Sequence, residues 1–445
     1  MRARSNVDVE LNGRMHEPVL ASRPLTPRPA PTGAAVRSTD RWLGRKLLQW
    51  LGDPAIRVVL WNGDEIAADE DAKRAPAVHF RDRRTLWSLL AQPDIGFGDG
   101  FVDGRVEIEG DLVDFMERID RAFVANRSPS WVKRAWSWLH RSRPNSLGGS
   151  RANIHQHYDI GNDFYRLWLD EQMVYTCAYF PTPALGLEAA QIAKLDHVCR
   201  KLQLEPGQTV IEAGCGWGAL ACHMARHYGV NVRAFNISHR QIEFARARAK
   251  REGLERQVEF IEDDYRNISG PCDAFVSVGM LEHVGKNNYA KFGALIDRCL
   301  RPNGRGLLHF IGRNFPHAMN AWLEKRIFPG AYIPSLSEML PVLEPNGFSV
   351  LDVENIRLHY AKTLEHWLDR FDRAAATIER MFDRRFVRAW RLYLAGSLSG
   401  FASGVFQLFQ VTFAHAANNA IPWSRAGVYA TECQHRAEGI RNGYL

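Results

Sequence analysis

The chain has 445 residues, 46% apolar and 24% charged, which is enough for two domains with a sizeable core and too apolar for a disordered or low-complexity protein. Lys and Arg exceed Asp and Glu by seven, with a pI of about 9.1; so mild an excess suits an anionic partner without deciding between phospholipid headgroups and nucleic acid. Seven scattered cysteines with no Cys-x-x-Cys pair exclude a disulfide framework or zinc spacing and favour a reducing compartment.

Residues 1–40 carry Pro18, Pro24, Pro27, Pro29 and Pro31 and no apolar run. They read as a disordered extension, neither a signal peptide nor an anchor. Residues 41–128 read as a small α/β domain. Trp42–Trp50 has helical apolar spacing, and Arg57–Trp61 leads into the turn Asn62-Gly63. Gly98, Gly100, Gly104 and Gly110, set among short apolar groups, predict tight turns between short strands. Residues 129–150 form a linker in which Trp131, Trp136 and Trp138 alternate with Lys133, Arg134 and Arg141. That pattern suits a helix lying at a membrane interface, and equally one packing its tryptophans on the next domain. His155 and His157 lack further ligands nearby, so no metal site is expected.

From residue 151 onward one larger domain is expected. Helix Gln191–Leu202, strand Thr209–Glu212, helix Ala219–Tyr228, strand Asn231–Phe235, helix Arg240–Glu252 and strands Val258–Ile261 and Ala274–Val278 alternate. A turn at Arg301-Pro302-Asn303-Gly304 precedes strand Leu307–Ile311. Such alternation predicts a doubly wound sheet with ligands at the carboxyl ends of its strands. The uncharged run Leu392–Ala414 nears membrane-spanning length, but its serines, glutamines and glycines predict a buried helix of a globular domain.

The segment Val210-Ile211-Glu212-Ala213-Gly214-Cys215-Gly216-Trp217-Gly218 reads as a buried strand entering a turn where backbone approaches a ligand closely. Gly214, Gly216 and Ala219 fit the loose dinucleotide fingerprint. That site wants an acid at the end of the second strand, where this chain has Asn236-Ile237-Ser238. Glu212 and the extra Gly218 fit S-adenosylmethionine better. That molecule has no pyrophosphate, so a carboxylate can face its sulfonium and amino-acid end without repulsion.

Four further segments place reactive side chains near strand ends. They contain Tyr175-Thr176-Cys177, Glu282-His283, His309 and His359-Tyr360. Convergence of such groups beside a methyl donor points to deprotonation of a methylated intermediate, with Glu and His holding the base in low dielectric.

These segments, together with His157-Tyr158-Asp159-Ile160-Gly161-Asn162, Ile327-Phe328-Pro329-Gly330 and Tyr360-x-x-Thr363-Leu364-x-x-Trp367, cover most of the chain from Asn153 to the C-terminus. In them the chain resembles the cyclopropane-fatty-acyl-phospholipid synthase family, including the mycolic acid cyclopropane synthases. The resemblance implies a class I S-adenosylmethionine-dependent methyltransferase fold, Rossmann-like and doubly wound, with a smaller N-terminal α/β domain for lipid binding or dimerisation. It implies methyl transfer to a cis double bond of an acyl chain in a phospholipid, then proton loss and ring closure. A bound bicarbonate base would be held by Cys177, Glu282, His309, Tyr360 and the backbone of Ile311. Cofactor contacts carry over to Tyr175, Thr176, Glu212, Gly214, Gly216, Gly218, Asn236, Gln241 and Tyr265. Glu212 stands where the family usually has Asp, and Asn236 replaces a usual Thr.

The implied partner is an unsaturated phospholipid in an anionic membrane rather than nucleic acid, with the protein cytoplasmic, peripheral on the inner face and homodimeric. The basic linker and Arg384-Arg385-Phe386-Val387-Arg388 are expected to dock it. Three other readings stay open: a lipid methyltransferase leaving an acyclic methyl or methylene branch, an amine N-methyltransferase for a small molecule, and a non-catalytic lipid-binding protein.

Overall fold

Two sheets organise the molecule, and the sequence pattern of each fixes what covers it. The computed structural model describes residues 35–67, 74–125 and 160–429. Residues 1–34 of the proline-rich extension, the Trp131–Arg141 stretch and the His155 and His157 pair lie outside these residues, whereas Ser38–Asp40, read as the extension's end, form the first turn of a helix with Asp40 buried.

The N-terminal domain runs α1 (Ser38–Leu51), β1 (Arg57–Val59), β2 (Glu65–Ala67), β3 (Ala77–Phe80), α2 (Arg83–Ala91), α3 (Pro93–Val102), β4 (Val106–Glu109) and α4 (Leu112–Ala125). Its sheet has the order β2-β1-β3-β4, with only β1 and β3 parallel. The tight turns predicted around Gly98 and Gly100 are instead part of α3. These glycines serve close packing: a Cβ on Gly98 would lie 2.3 Å from the Trp322 ring, and one on Gly96 would lie 2.6 Å from the Ser88 backbone. Such contact outweighs the cost of glycine within a helix.

The larger domain begins with α5 (Asn162–Arg166) and α6 (Leu187–Leu202). Then follow β5 (Thr209–Ala213), α7 (Ala219–Tyr228), β6 (Asn231–Asn236), α8 (His239–Glu252), β7 (Val258–Glu262) and β8 (Cys272–Val278). Next come α9 (Leu281–Val284), α10 (Tyr289–Cys299), β9 (Leu300–Gly312), α11 (Ala321–Arg326), α12 (Leu336–Met339) and β10 (Phe348–Asn355). The last elements are α13 (Arg357–Met381), α14 (Arg384–Ser403), β11 (Gln407–His415) and α15 (Ala426–Tyr429). The seven strands take the order β10-β11-β9-β8-β5-β6-β7. Strands β5 to β9 are parallel, and β11 runs antiparallel between β9 and β10. The chain reverses its direction of travel between β5 and β8, the switch point at which open α/β sheets bind ligands.

Two expectations change here. The run Leu392–Ala414 is half helix and half strand: Gly404, left-handed at φ +86°, ends α14, and β11 begins at Gln407. A strand buried on both faces lacks alternation, so its apolar run looks like buried helix. The turn predicted at Arg301–Gly304 is the outer part of β9, where the register with β8 shifts between Cys272 and Ala274.

Alternate residues of β5 face opposite layers, with Val210 in one apolar cluster and Ile211 in the other. A third cluster runs from Phe80 and Phe115 through Trp168, Trp367 and Trp390, so the two domains share one core. At its edge Arg388 Nε donates to Phe101 O (2.6 Å), and its guanidinium lies 4.3 Å from the Phe101 ring centroid and 3.2 Å from Glu107. Arg388, expected at a bilayer, is therefore buried between domains, where its charge finds a carboxylate and two carbonyls. Arg385 pairs with Asp103. Among the described residues no helix is long and apolar enough to cross a membrane.

Candidate active site

Two adjoining cavities open at the carboxyl ends of β5, β8 and β9, sharing Tyr175, Thr176, Gly279 and His283 as a common wall. The first is bounded by the glycine loop after β5. Gly214, Gly216 and Gly218 all have positive φ (87°, 52° and 80°), a conformation that costs other L-residues about 1 kcal/mol or more. Their roles differ. A Cβ on Gly216 would meet nothing within 4 Å, so this residue faces the cavity, whereas one on Gly218 would lie 2.5 Å from Phe260 Cζ. Gly218 brings α7 close to the sheet and does not line the cavity.

Glu212, Asn236 and Gln241 line this cavity, as expected. Asn236 Nδ2 donates to Gln241 Oε1 (2.7 Å) and to Gly216 O (3.3 Å), tying the second strand to the glycine loop. Glu212 is 3% exposed, and its Oε2 has no hydrogen-bond partner among the described residues. Burial pushes this carboxyl up to about 8. Lys194, on α6, lines the same cavity and donates from Nζ to Thr176 Oγ1 (3.1 Å). Tyr265 does not line this cavity; its ring packs edge-on against Phe292 with centroids 5.3 Å apart, and the Arg266 guanidinium lies 4.7 Å from its centroid.

The second cavity is partly open to solvent and has the concave, mostly apolar character of small-molecule sites. Cys177, Glu282, His309, Ile311 and Tyr360 all line it, although 183 positions separate the first from the last. Leu323, Phe328, Leu364, Phe401 and Leu408 make most of the remaining wall apolar.

Glu282 sits on α9, just past β8. Its Oε1 accepts from Ile311 N (2.6 Å), while Oε2 has no partner among the described residues. Burial raises this carboxyl to about 7, against the opposing pull of the Ile311 amide. The Ile311 N–H is thus engaged in holding the carboxylate. His309 is on β9, directly across from Gln410 on β11. With the Gln410 amide donating to Nδ1 (3.1 Å), the ring proton sits on Nε2. Burial, then the nearby cations of Lys194 and Lys201, lowers His309 to about 3, so the ring is neutral. His283, at the common wall, is lowered to about 4 by burial and is neutral as well.

Cys177 is fully buried, directs Sγ at Ala178 O (3.0 Å) and has its thiol pushed well up by burial. It is a neutral polar group rather than a thiolate nucleophile. The Tyr360 ring packs on Phe401 with centroids 4.5 Å apart. Tyr175 and Tyr393 join hydroxyls at 2.7 Å, which links the cofactor motif to α14.

Gln410, Tyr393 and Lys194 escaped the sequence reading. The first two lie within the run read as one buried helix. Lys194 had a legible signal, a cation on the apolar face of α6 beside Ala190, Leu195 and Val198. The assembled site has a methyl-donor cavity lined by glycine, one buried acid and one buried lysine. Next to it is a mostly apolar cavity whose buried polar groups are able to orient a proton acceptor.

Residues 146–411 match the family described as mycolic acid cyclopropane synthetase, and residues 44–126 match a domain of unknown function. A probable fatty acid methyltransferase of Pseudomonas putida is 34% identical over 387 residues, 84% of this chain and 96% of that one. The cyclopropane-fatty-acyl-phospholipid synthase of Escherichia coli K12 is 37% identical over 340 residues, 76% of this chain and 87% of that one. The mycolic acid cyclopropane synthase CmaA1 solved with SAH and CTAB superposes with a TM-score of 0.57 at 31% identity, covering 59% of this chain and 97% of that one. On the family match and on a site with both cavities intact, the chain belongs to the mycolic acid cyclopropane synthase family and is an S-adenosylmethionine-dependent methyltransferase.

Proposed function

We propose that the enzyme adds the methyl carbon of S-adenosylmethionine to a cis double bond in an unsaturated phospholipid acyl chain and closes a cyclopropane ring. The carrying observation is the gathering of Glu282, His309, Cys177 and Tyr360 around one apolar cavity that adjoins the glycine-loop cavity. The relatives support the substrate class: one is named for a fatty-acyl-phospholipid and one for a fatty acid.

S-adenosylmethionine supplies an electrophilic methyl group, and Tyr175, Thr176, Glu212, Gly214, Gly216, Asn236 and Gln241 would hold it. In the transfer the methyl–sulfur bond breaks, its electron pair stays on sulfur, and the alkene π pair forms the new carbon–carbon bond. The acyl chain is left with a positive charge one carbon from the new methyl. Neutral His309 and His283 add no repulsion to that charge. The Tyr360 and Phe401 rings, both on the cavity lining, bring aromatic π density near it. The apolar walls keep out water that would capture it. Loss of a proton from the methyl then lets the freed electron pair close the ring.

A bicarbonate ion fits as the base. The unpartnered Glu282 Oε2 is an acceptor for its hydroxyl, and His309 and Tyr360 are donors for its oxygens, with the Cys177 thiol, directed at Ala178 O, on the lining beside them. Ile311 enters by fixing Glu282 through its backbone N–H. When bound, the ion supplies a proton acceptor that adds little net charge beyond what these dipoles offset.

The enzyme works at an anionic bilayer. The basic charge balance supports this, as does α1, where exposed Trp42 and Trp50 alternate with exposed Arg45 and Lys46 over a buried leucine face. Incubation with labelled S-adenosylmethionine and vesicles of unsaturated phospholipid, followed by fragmentation mass spectrometry, is the test. A ring-bearing acyl chain is expected; a labelled product that keeps an acyclic double bond overturns the cyclopropane assignment.

A further inference from the structure

A lysine on the apolar face of a helix needs an anion to meet it, because burying its charge unpaired is costly. Lys194 is 2% exposed and lines the glycine-loop cavity. Its single described hydrogen bond goes to a neutral hydroxyl, Thr176 Oγ1. Two carboxylates act on it electrostatically, Asp170 and Glu212. Asp170 is already committed: its oxygens accept from Gln172 N and Val174 N, both at 2.9 Å, and it does not line the cavity. Glu212 does line it. One side of that carboxyl meets the Ala221 backbone amide in the first turn of α7, and Oε2 has no partner among the described residues.

The cavity therefore presents one buried acid and one buried base, each with hydrogen-bonding capacity left over. Burial drives both towards neutrality, Lys194 down to about 8 and Glu212 up to about 8. A ligand carrying both charges would restore each of them. The amino-acid end of S-adenosylmethionine is such a ligand, an α-ammonium and a carboxylate on one carbon.

We propose that Lys194 is a cofactor-binding residue that takes the carboxylate of this amino-acid end, while Glu212 takes the ammonium. The proposal rests on the methyltransferase assignment and adds to it a reader for the zwitterion. Charge-assisted hydrogen bonds in a dry site are strong and directional, so the pair would fix which way the tail lies. Through Thr176, which belongs to the wall common to both cavities, Lys194 would also couple that orientation to the acyl side.

Calorimetry on the full chain tests this with two ligands, S-adenosylhomocysteine and 5′-methylthioadenosine, which keeps the nucleoside and thioether but lacks the amino-acid tail. Lys194→Met should weaken S-adenosylhomocysteine binding by about tenfold or more while changing methylthioadenosine binding less than about twofold. Equal weakening of both ligands, or no weakening of either, overturns the proposal. A measurement on the wild type stands even where the variant does not fold. Decarboxylated S-adenosylmethionine should bind about tenfold or more weakly than the intact molecule, and equal affinity overturns the proposal. Failure of the wild type to bind S-adenosylhomocysteine at all would instead count against the methyltransferase assignment.

Discussion

The two cavities are built on opposite plans. The cofactor side is centred on one continuous piece of chain, β5, the glycine loop and the start of α7, and is completed by Asn236 and Gln241 a short way on, by Tyr175, Thr176 and Lys194 before it and by the Gly279–His283 segment after it. Much of its shape is backbone conformation, and its two charged side chains, Glu212 and Lys194, are buried in its wall. The acyl side is assembled from segments far apart in sequence, and nearly all of its chemistry is side chain: Glu282 after β8, His309 on β9, Tyr360 on α13, Cys177 ahead of the sheet. Local backbone geometry leaves a mark in a short motif. A cluster made by tertiary packing leaves only scattered polar residues in apolar surroundings.

If this division of labour holds, damage to one cavity should leave the other working. The largest separation is expected from Glu282→Gln. Gln keeps an acceptor for Ile311 N but loses the ionisable group, so turnover should fall by about 10²–10⁴. S-adenosylhomocysteine affinity, measured by calorimetry, should stay within about twofold, since Glu282 lines only the acyl cavity. A parallel loss of cofactor affinity would break the comparison.

A second separation lies within the glycine loop. Gly216→Ala adds a methyl facing the cavity and should weaken S-adenosylhomocysteine binding by about tenfold or more. Gly218→Ala adds one against Phe260 and should cost about 1–3 kcal/mol of stability, read as a lowered Tm. The reverse pattern would mean that the two glycines have been assigned the wrong faces.

Gln410→Leu should act more mildly, through His309. Without the amide on Nδ1 the ring loses its fixed tautomer, and kcat should drop by about tenfold with little change in cofactor affinity. A merely structural role would lower Tm and leave the pH dependence of kcat unmoved; a positioning role shifts it.

The smallest effect concerns pH and stability. Glu282 is raised from 4.5 to about 7 in the folded protein, so the folded state holds its proton more tightly than the unfolded state does. Its contribution to stability is complete below pH 4.5 and is lost as pH rises through about 7. Glu282→Gln cannot titrate, so its stability relative to the wild type should improve across that window by about 1–3 kcal/mol. Denaturant titrations at several pH values would show it, and a constant difference would contradict a buried, titrating Glu282.

The sequence made the cofactor side legible because glycines with positive φ and the strand before them form one word of the chain. It also gave the alternation of β5 to β8, whose helices are amphipathic. Two things were hidden. Strand β11 is buried on both faces and reads as helix, and with it went Gln410, whose meaning comes from lying opposite His309. Tyr265 and Gly218 do not line the cavity itself; one packs on Phe292 and the other lies close to Phe260. Arg388 looked like a surface cation in its run of arginines, and only the docking of the N-terminal domain shows it buried. The acyl-side residues were findable only as a set, through the family resemblance, because no spacing links Cys177 to Tyr360.

The most direct test of a cofactor side that delivers a methyl group and an acyl side that removes a proton from it uses a donor whose methyl is fully deuterated. With unsaturated phospholipid vesicles as acceptor, the account predicts a cyclopropane whose bridging carbon has lost one deuteron and kept the rest. A product that retains every deuteron on the transferred carbon would contradict it, because the proton would then have left from elsewhere on the acyl chain.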